Sequence, residues 1–322
     1  MIIFVGKLCV MTEEERHVEI EEQHDVAFEE HGEHPLEKRG FMKIPKRGDF
    51  PTMLDLIAMI LIVVASQFIV SVIGVAMGFT VPDMLTSEIT DVEQFIGIQV
   101  TRGQNMAVIY PLSMLLAFVT LLFYIRLRDG RGRVARSSIR GFNPLAILGG
   151  LIWLIAVQVV VEPISLLLPE AEQTTGRGFW AIMTAVVFAP VFEELIFRGL
   201  VLEALLRRHR RIVSVIVSSI IFALVHFQPA VMFSAAVSGF VLGTMYLHTN
   251  SIFSSIILHS INNAFAFTLI ILNLDDRTYA QMINNDKTYH IVYIMAVAIS
   301  IIGFVQTWRR RKHHGNTTVT YQ

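Results

Sequence analysis

The chain has 322 residues, of which 53% are hydrophobic and 16% are charged. Soluble domains average about 25% charged residues, so this composition excludes an ordinary soluble globular protein. The net charge of −1 gives the chain no overall positive potential that would favour binding to nucleic acid. The lone Cys9 excludes an intramolecular disulfide and argues against a cysteine-based metal site.

The first fifty residues differ from the rest. Between Glu13 and Glu37 the sequence is crowded with Glu and His and has few apolar residues, so it cannot bury enough surface to fold alone. It contains four histidines, the first three at a spacing of seven: His17, His24, His31 and His34. A metal-binding tail is one interpretation. We predict instead a solvated, disordered, acidic cytoplasmic tail over residues 1–50.

Long apolar runs follow, most of them near the roughly 20 residues that a helix needs to cross a bilayer. We predict eight spans: Met53–Gly78, Met106–Leu127, Asn143–Leu168, Trp180–Leu206, Ile212–Phe227, Ala230–Leu247, Ile252–Leu272 and Ile291–Trp308. The fifth and sixth are short, and Pro229 breaks the helix between them. The predicted fold class is therefore all-α, a polytopic transmembrane helical bundle of about eight spans over residues 51–308.

Arginine clusters predict the orientation of this bundle. They follow the second, fourth and eighth spans: Arg126, Arg128, Arg131, Arg133, Arg136 and Arg140; Arg207, Arg208, Arg210 and Arg211; Arg309, Arg310, Arg311 and Lys312. Acidic residues occupy the opposite side: Asp83, Glu88, Asp91 and Glu93; Asp275, Asp276 and Asp286. Because cytoplasmic loops are enriched in Lys and Arg, we predict that both termini are cytoplasmic, with a basic cytoplasmic tail over residues 309–322.

Ionisable residues interrupt the fourth span. Each such residue costs about 2.5–3.5 kcal/mol at the bilayer centre on translocon scales, so it must find partners inside the bundle. Glu194 and Arg198 are four residues apart on one helix face, which predicts an ion pair, and one interpretation is that this pair serves only helix assembly. Glu193 is rotated about 100° from Glu194. That pair does not satisfy it, so Glu193 is predicted to be an unpaired carboxylate.

The fifth and seventh spans contribute imidazoles. His226 lies at the end of the fifth span, and His259 shares a helix face with Asn263 in the seventh. A lone histidine in a span often only forms a hydrogen bond between helices. Two histidines together with Glu193 and an amide indicate a cluster. This set suits hydrolysis, since it offers a general base for water and donors for an oxyanion.

These motifs carry a family resemblance. Glu193-Glu194-Leu195-Ile196-Phe197-Arg198, Phe222 to His226, and His259 to Asn263 resemble, in that order, the motifs of the CAAX prenyl endopeptidase and bacteriocin-processing family (CPBP, Abi). The resemblance covers about Trp180 to Leu272, which we expect to be the catalytic core. It implies a metal-independent intramembrane glutamate protease without a cofactor.

The resemblance also implies a role for each motif residue. Glu193 and His226 would activate the attacking water, and His259 and Asn263 would stabilise the oxyanion. The supporting residues would be Glu194, Arg198 and Phe222. The implied partners are the lipid bilayer and a membrane-associated peptide or protein substrate, with no nucleic acid. Eukaryotic relatives cut prenylated CAAX proteins, whereas many bacterial relatives act in bacteriocin maturation, immunity or peptide signalling. We place this chain in a bacterial inner (cell) membrane.

Three alternatives stay open at this point. A zinc protease could use two histidines and a glutamate, although the sequence has no His-Glu-x-x-His motif. A non-catalytic immunity or scaffold protein could retain the bundle for binding. Intramembrane ionisable residues also mark transport paths, although no inverted repeat or pair of broken helices is apparent.

Overall fold

Nine helices follow one another in the part of the chain that the computed structural model describes, which comprises residues 50–79, 91–129, 142–169, 176–274 and 277–313. They are α1 Met53–Ala76, α2 Val92–Asp129, α3 Pro144–Ser165, α4 179–206, α5 Arg211–Leu224, α6 Pro229–Thr249, α7 Ile252–Ile271, α8 Tyr279–Ile283 and α9 Asp286–His313. The regular elements in these ranges are helices, which confirms the predicted all-α fold.

Each predicted span corresponds to one helix, and α8 is the short helix left over. Six helices are long and apolar enough to cross a membrane: α1, α2, α3, α6, α7 and α9. The other two are α4, which has an interrupted hydrogen-bond pattern, and α5, which has 14 residues. At 1.5 Å per residue α5 is about 21 Å long, shorter than a hydrocarbon core of about 30 Å. The count of eight complete crossings therefore stays a prediction.

The second span was predicted to begin at Met106, but α2 begins at Val92. Its 38 residues extend over about 57 Å, roughly twice the hydrocarbon thickness. The added segment is polar and contains Gln99 and Arg102, so hydropathy does not detect it. It is held by the loop before α4, where the Arg177 N–H donates to the Gln99 carbonyl at 2.9 Å.

A buried carboxylate fastens α1 to α2. Asp55 closes a capping box with Thr52 at the start of α1 and is 2% exposed. It also accepts hydrogen bonds from Tyr124 Oη at 2.6 Å and Arg128 Nε at 2.8 Å, both on α2. Because every partner is provided from inside the protein, the charge is compensated and the two helices are locked in register.

α7 lies among three of the remaining helices. α7 contacts α3, α4 and α6, α5 packs along α6, and α9 packs on α3. A core of side chains from α1, α2, α4 and α5 fills one side of the bundle, with Met114, Leu121, Ile196 and Leu205 almost fully buried. This arrangement brings the middle of α4, the end of α5 and the middle of α7 together.

Several predicted features lie outside the described residues. These are the acidic tail up to residue 49 with its four histidines, residues 314–322, and much of the charged loop sequence, including Arg131 to Arg140, Asp83, Glu88, Asp275 and Asp276. α9 continues as far as His313, into the predicted basic tail.

The orientation can be tested directly. Reporter fusions after Arg140, Arg211 and Lys312 are expected to report a cytoplasmic location, because each follows an arginine cluster. A fusion at Asp276 is expected to report the opposite side. A cytoplasmic signal at Asp276 would contradict the predicted orientation.

Candidate active site

α4 changes its hydrogen-bond register on both sides of the carboxylate pair. Two π-helical segments, Met183–Phe188 and Phe197–Leu202, flank the α-helical turn Ala189–Ile196 that carries Glu193 and Glu194. Single π-helical turns inside α-helices are rare and frequently occur at functional sites. The widened turns alter which backbone carbonyls are available to side chains on neighbouring helices.

Pro190 leaves one such carbonyl without its helical partner. In the first π-helical segment the Ala189 N–H donates to Thr184, five residues earlier. The next carbonyl in this pattern, that of Ala185, would accept from residue 190, but proline has no N–H. Asn263 Nδ2 on α7 donates to the Ala185 carbonyl at 2.9 Å. One amide hydrogen of Asn263 is thereby engaged, and the amide is anchored to α4.

The predicted ion pair within α4 is confirmed. Arg198 Nη1 donates to Glu194 Oε1 at 2.8 Å, and the two side chains are 1% and 0% exposed. Arg198 Nη2 donates to the Gly239 carbonyl on α6 at 3.0 Å, and the guanidinium lies 4.8 Å from the centre of the Phe222 ring. Gly239 also lets α6 pack closely on α5, since a Cβ there would lie 3.0 Å from Phe222.

His259 connects the two carboxylates. Its Nδ1 lies 2.9 Å from Glu194 Oε1, so Nδ1 donates to this carboxylate oxygen. Its Nε2 lies 3.6 Å from Glu193 Oε2, longer than an ordinary hydrogen bond. Glu194 thus orients the ring, while Nε2 stays beside Glu193 and able to take part in a further interaction.

Glu193 is not an unpaired carboxylate, so this prediction was wrong. Tyr110 Oη on α2 donates to Glu193 Oε1 at 2.5 Å. The pattern analysis missed Tyr110 because a single tyrosine in an apolar span carries no distinguishing signal. The bond engages Oε1 and leaves Glu193 Oε2 near His259 Nε2.

His226 lies in a tight connection between α5 and α6. Its Nδ1 lies 2.8 Å from the Phe222 carbonyl, and because a carbonyl can only accept, Nδ1 must donate. In the neutral ring Nε2 then carries the free lone pair. The chain turns immediately afterwards, where the Gln228 N–H donates to the His226 carbonyl and Phe227 adopts a φ of 59°. Such left-handed backbone is strained in a bulky residue and often occurs beside functional residues.

The four residues predicted to be catalytic line a single cavity of about 520 Å³: Glu193, His226, His259 and Asn263. They come from two helices, α4 and α7, and from the turn after α5. The predicted supporting residue Phe222 also lines it, whereas Glu194 and Arg198 lie behind it in the protein interior. The structure therefore brings the whole predicted set together.

A polar wall that the motifs did not indicate faces these residues. Gln158 on α3 accepts from Ser234 at 2.9 Å and donates to Ser238 at 2.6 Å, and both serines are on α6. Glu162 accepts the Tyr279 N–H at 2.7 Å. Burial and this nearby carboxylate raise the pKa of Tyr279, which keeps the phenol neutral. The wall offers donors and acceptors of the kind that a peptide backbone needs.

Within the described ranges, no three His, Cys, Asp or Glu side chains are grouped so that they could hold a metal ion. The site places two histidines and two glutamates close to one another, but Glu194 is engaged by Arg198 and His259, and Glu193 by Tyr110. Metal independence stays a prediction.

Comparison with known proteins is consistent with the motif analysis. No curated protein and no solved structure matches the chain. The model of the Rce1-like family, described as type II CAAX prenyl endopeptidase Rce1-like, matches residues 175–265. This segment contains all three motifs and runs from the start of α4 into α7. The predicted family resemblance is therefore confirmed: over residues 175–265 the chain matches the Rce1-like family of CAAX-type membrane proteases.

Proposed function

We propose that this protein is a metal-independent intramembrane endopeptidase that hydrolyses a peptide bond in a membrane-associated protein or peptide. The observation that carries the proposal is the convergence of Glu193, His226, His259 and Asn263 on one cavity. The match of residues 175–265 to a protease family supports it. Neither a scaffold nor an assembly ion pair requires this convergence on an open cavity.

In this mechanism Glu193 and the free Nε2 of His226 hold a water molecule and accept its proton as it attacks the substrate carbonyl. The carbonyl oxygen gains negative charge and is stabilised by the second amide hydrogen of Asn263 and by His259. Because Nδ1–H of His259 already donates to Glu194, the ring must be an imidazolium to donate from Nε2–H as well. Glu194 orients His259, and the Ala185 carbonyl orients Asn263. Tyr110 fixes the Glu193 carboxylate.

The proton then passes from Glu193 or His226 to the leaving amine as the carbon–nitrogen bond breaks. Fixed donors of this kind act strongly in a bundle that excludes most water, because they require no reorganisation as the charge develops. The chemistry needs no group beyond the side chains of this chain and the attacking water.

The decisive experiment is cleavage of a membrane peptide library by detergent-purified wild-type protein and by Glu193→Ala. Fragments released by the wild type and absent with the variant support the proposal. If the wild type releases no fragment, or if both proteins release the same fragments, the proposed glutamate mechanism fails and the alternative of a membrane scaffold or immunity protein is favoured.

A second measurement tests whether the proposed activity is independent of metal. The purified protein is expected to contain no stoichiometric transition metal, and its cleavage activity is expected to survive a strong chelator. The reason is that each glutamate of the site already has partners within the protein. Activity that is lost on chelation and restored by zinc would favour the zinc protease.

A further inference from the structure

The cavity lies toward one end of the bundle. It is lined by the last turns of α3, by the turn after α5 and the first half of α6, and by the loop between α7 and α9, including Glu162, His226, Ala230 and Arg277. α3, α5 and α7 end at this face of the bundle, and α6 begins there. Arg277 is exposed, so the cavity reaches the surface at this end.

The arginine clusters lie at the other end. Arg126 and Arg128 are in the last turn of α2, and Arg207 and Arg211 flank the connection from α4 to α5. α4 runs from the cavity toward these arginines. The cavity and the arginine clusters are therefore separated along the bundle axis.

The stretch of α4 between the cavity and the arginine clusters is tightly packed against its neighbours. Phe197, Leu200 and Val201 are 1%, 3% and 1% exposed, and the Glu194–Arg198 pair fills the space beside them. These residues pack against the α2 and α5 side chains of the core described above. A peptide approaching from the arginine end would meet packed side chains before it reached Glu193.

We infer that the site receives its substrate from the non-cytoplasmic side of the membrane. Arginine clusters mark the cytoplasmic face, and the cavity opens at the opposite end. The substrate class is then a membrane-associated peptide or protein whose scissile bond is displayed on the non-cytoplasmic face. For the nature of the ligand this inference rests on the proposed peptidase function, but the direction of access does not depend on it.

Cysteine labelling of the full chain in intact cells tests the direction of access. Replacing Cys9 by Ser removes the single native thiol. Arg277→Cys then places a thiol at the exposed mouth and Ala230→Cys places one on the cavity wall. Arg210→Cys, which is exposed between α4 and α5, is the matched control. The probe is a membrane-impermeant maleimide, applied before and after permeabilisation.

Arg277→Cys and Ala230→Cys are expected to be labelled to the same extent in intact and in permeabilised cells. Arg210→Cys is expected to be labelled only after permeabilisation. The inference is overturned if the cavity thiols need permeabilisation, if Arg210→Cys is labelled in intact cells, or if Ala230→Cys resists labelling while Arg277→Cys reacts. Labelling is read without any substrate, so a protein that cleaves nothing would remove the proposed function and leave this result in place.

Discussion

Glu193→Gln is expected to abolish peptide cleavage while the protein stays folded. Glutamine keeps an oxygen that can accept from Tyr110, so the contact to α2 is retained. It cannot accept the proton of the attacking water, and general-base catalysis typically contributes about 10²–10⁴-fold. The measurement is the turnover of a peptide substrate by purified variants, with a melting curve recorded for each one.

Glu203→Gln is a matched control on the same helix. Glu203 also accepts from a tyrosine, Tyr246 Oη, at 2.5 Å, but it lies outside the cavity. Its replacement is therefore expected to leave turnover near that of the wild type. Full activity in Glu193→Gln would refute the proposed catalytic mechanism. Equal losses in both variants would indicate a structural effect of removing a carboxylate that accepts from a tyrosine.

The other site residues are expected to form a graded series within the same assay. His226→Ala should also abolish cleavage, since it removes the second group that holds the water. Asn263→Ala should leave a weak but measurable activity, because losing one oxyanion donor typically costs about 10²–10³-fold in turnover. If these residues were only inter-helix hydrogen bonds, their replacement would lower the melting temperature and leave the turnover of folded protein unchanged.

Arg198→Ala is expected to destabilise the bundle severely. The guanidinium compensates the buried Glu194 carboxylate and also donates to the Gly239 carbonyl on α6. Removing one partner of a buried pair commonly costs about 3–5 kcal/mol, because the other charge remains without compensation. Glu194→Ala should act in the same direction. Folded yield and detergent melting curves provide the measurement.

Arg126→Ala is the matched control for this change. Arg126 is exposed in the last turn of α2, and replacing an exposed arginine usually changes stability by less than about 0.5 kcal/mol. If Arg198→Ala and Glu194→Ala melted like the wild type and like Arg126→Ala, the buried pair would have no structural role.

Hydropathy and motif spacing were sufficient to predict eight of the nine described helices, apart from the start of α2, and to group the site residues. Long apolar runs reveal a membrane helix wherever it is uniform, as in α1 and α3. Motif spacing places Glu194 and Arg198 on one face, and their ion pair follows from helical geometry alone. Both signals are local, since they depend on residues a few positions apart.

Contacts between helices that involve residues outside the motifs could not be predicted. The polar start of α2 is helical because the loop before α4 packs on it, and Tyr110 becomes a partner of Glu193 only when α2 meets α4. The polar wall formed by Gln158 and Ser234 joins α3 to α6 in the same way. Each contact joins residues far apart in sequence, and single residues in apolar spans do not reveal it.

The position of Pro190 inside α4 has a consequence for attempts to raise the thermal stability of this protein. Proline inside a helix is an obvious target for stabilisation, since it removes a backbone hydrogen bond at a cost of roughly 3 kcal/mol or more. An alanine there would restore a backbone N–H that competes for the Ala185 carbonyl, which would weaken the hydrogen bond that anchors the Asn263 amide. If the proposed oxyanion role of Asn263 holds, thermal stability and activity make opposite demands on this position, and a stability screen would select against the proposed catalytic geometry.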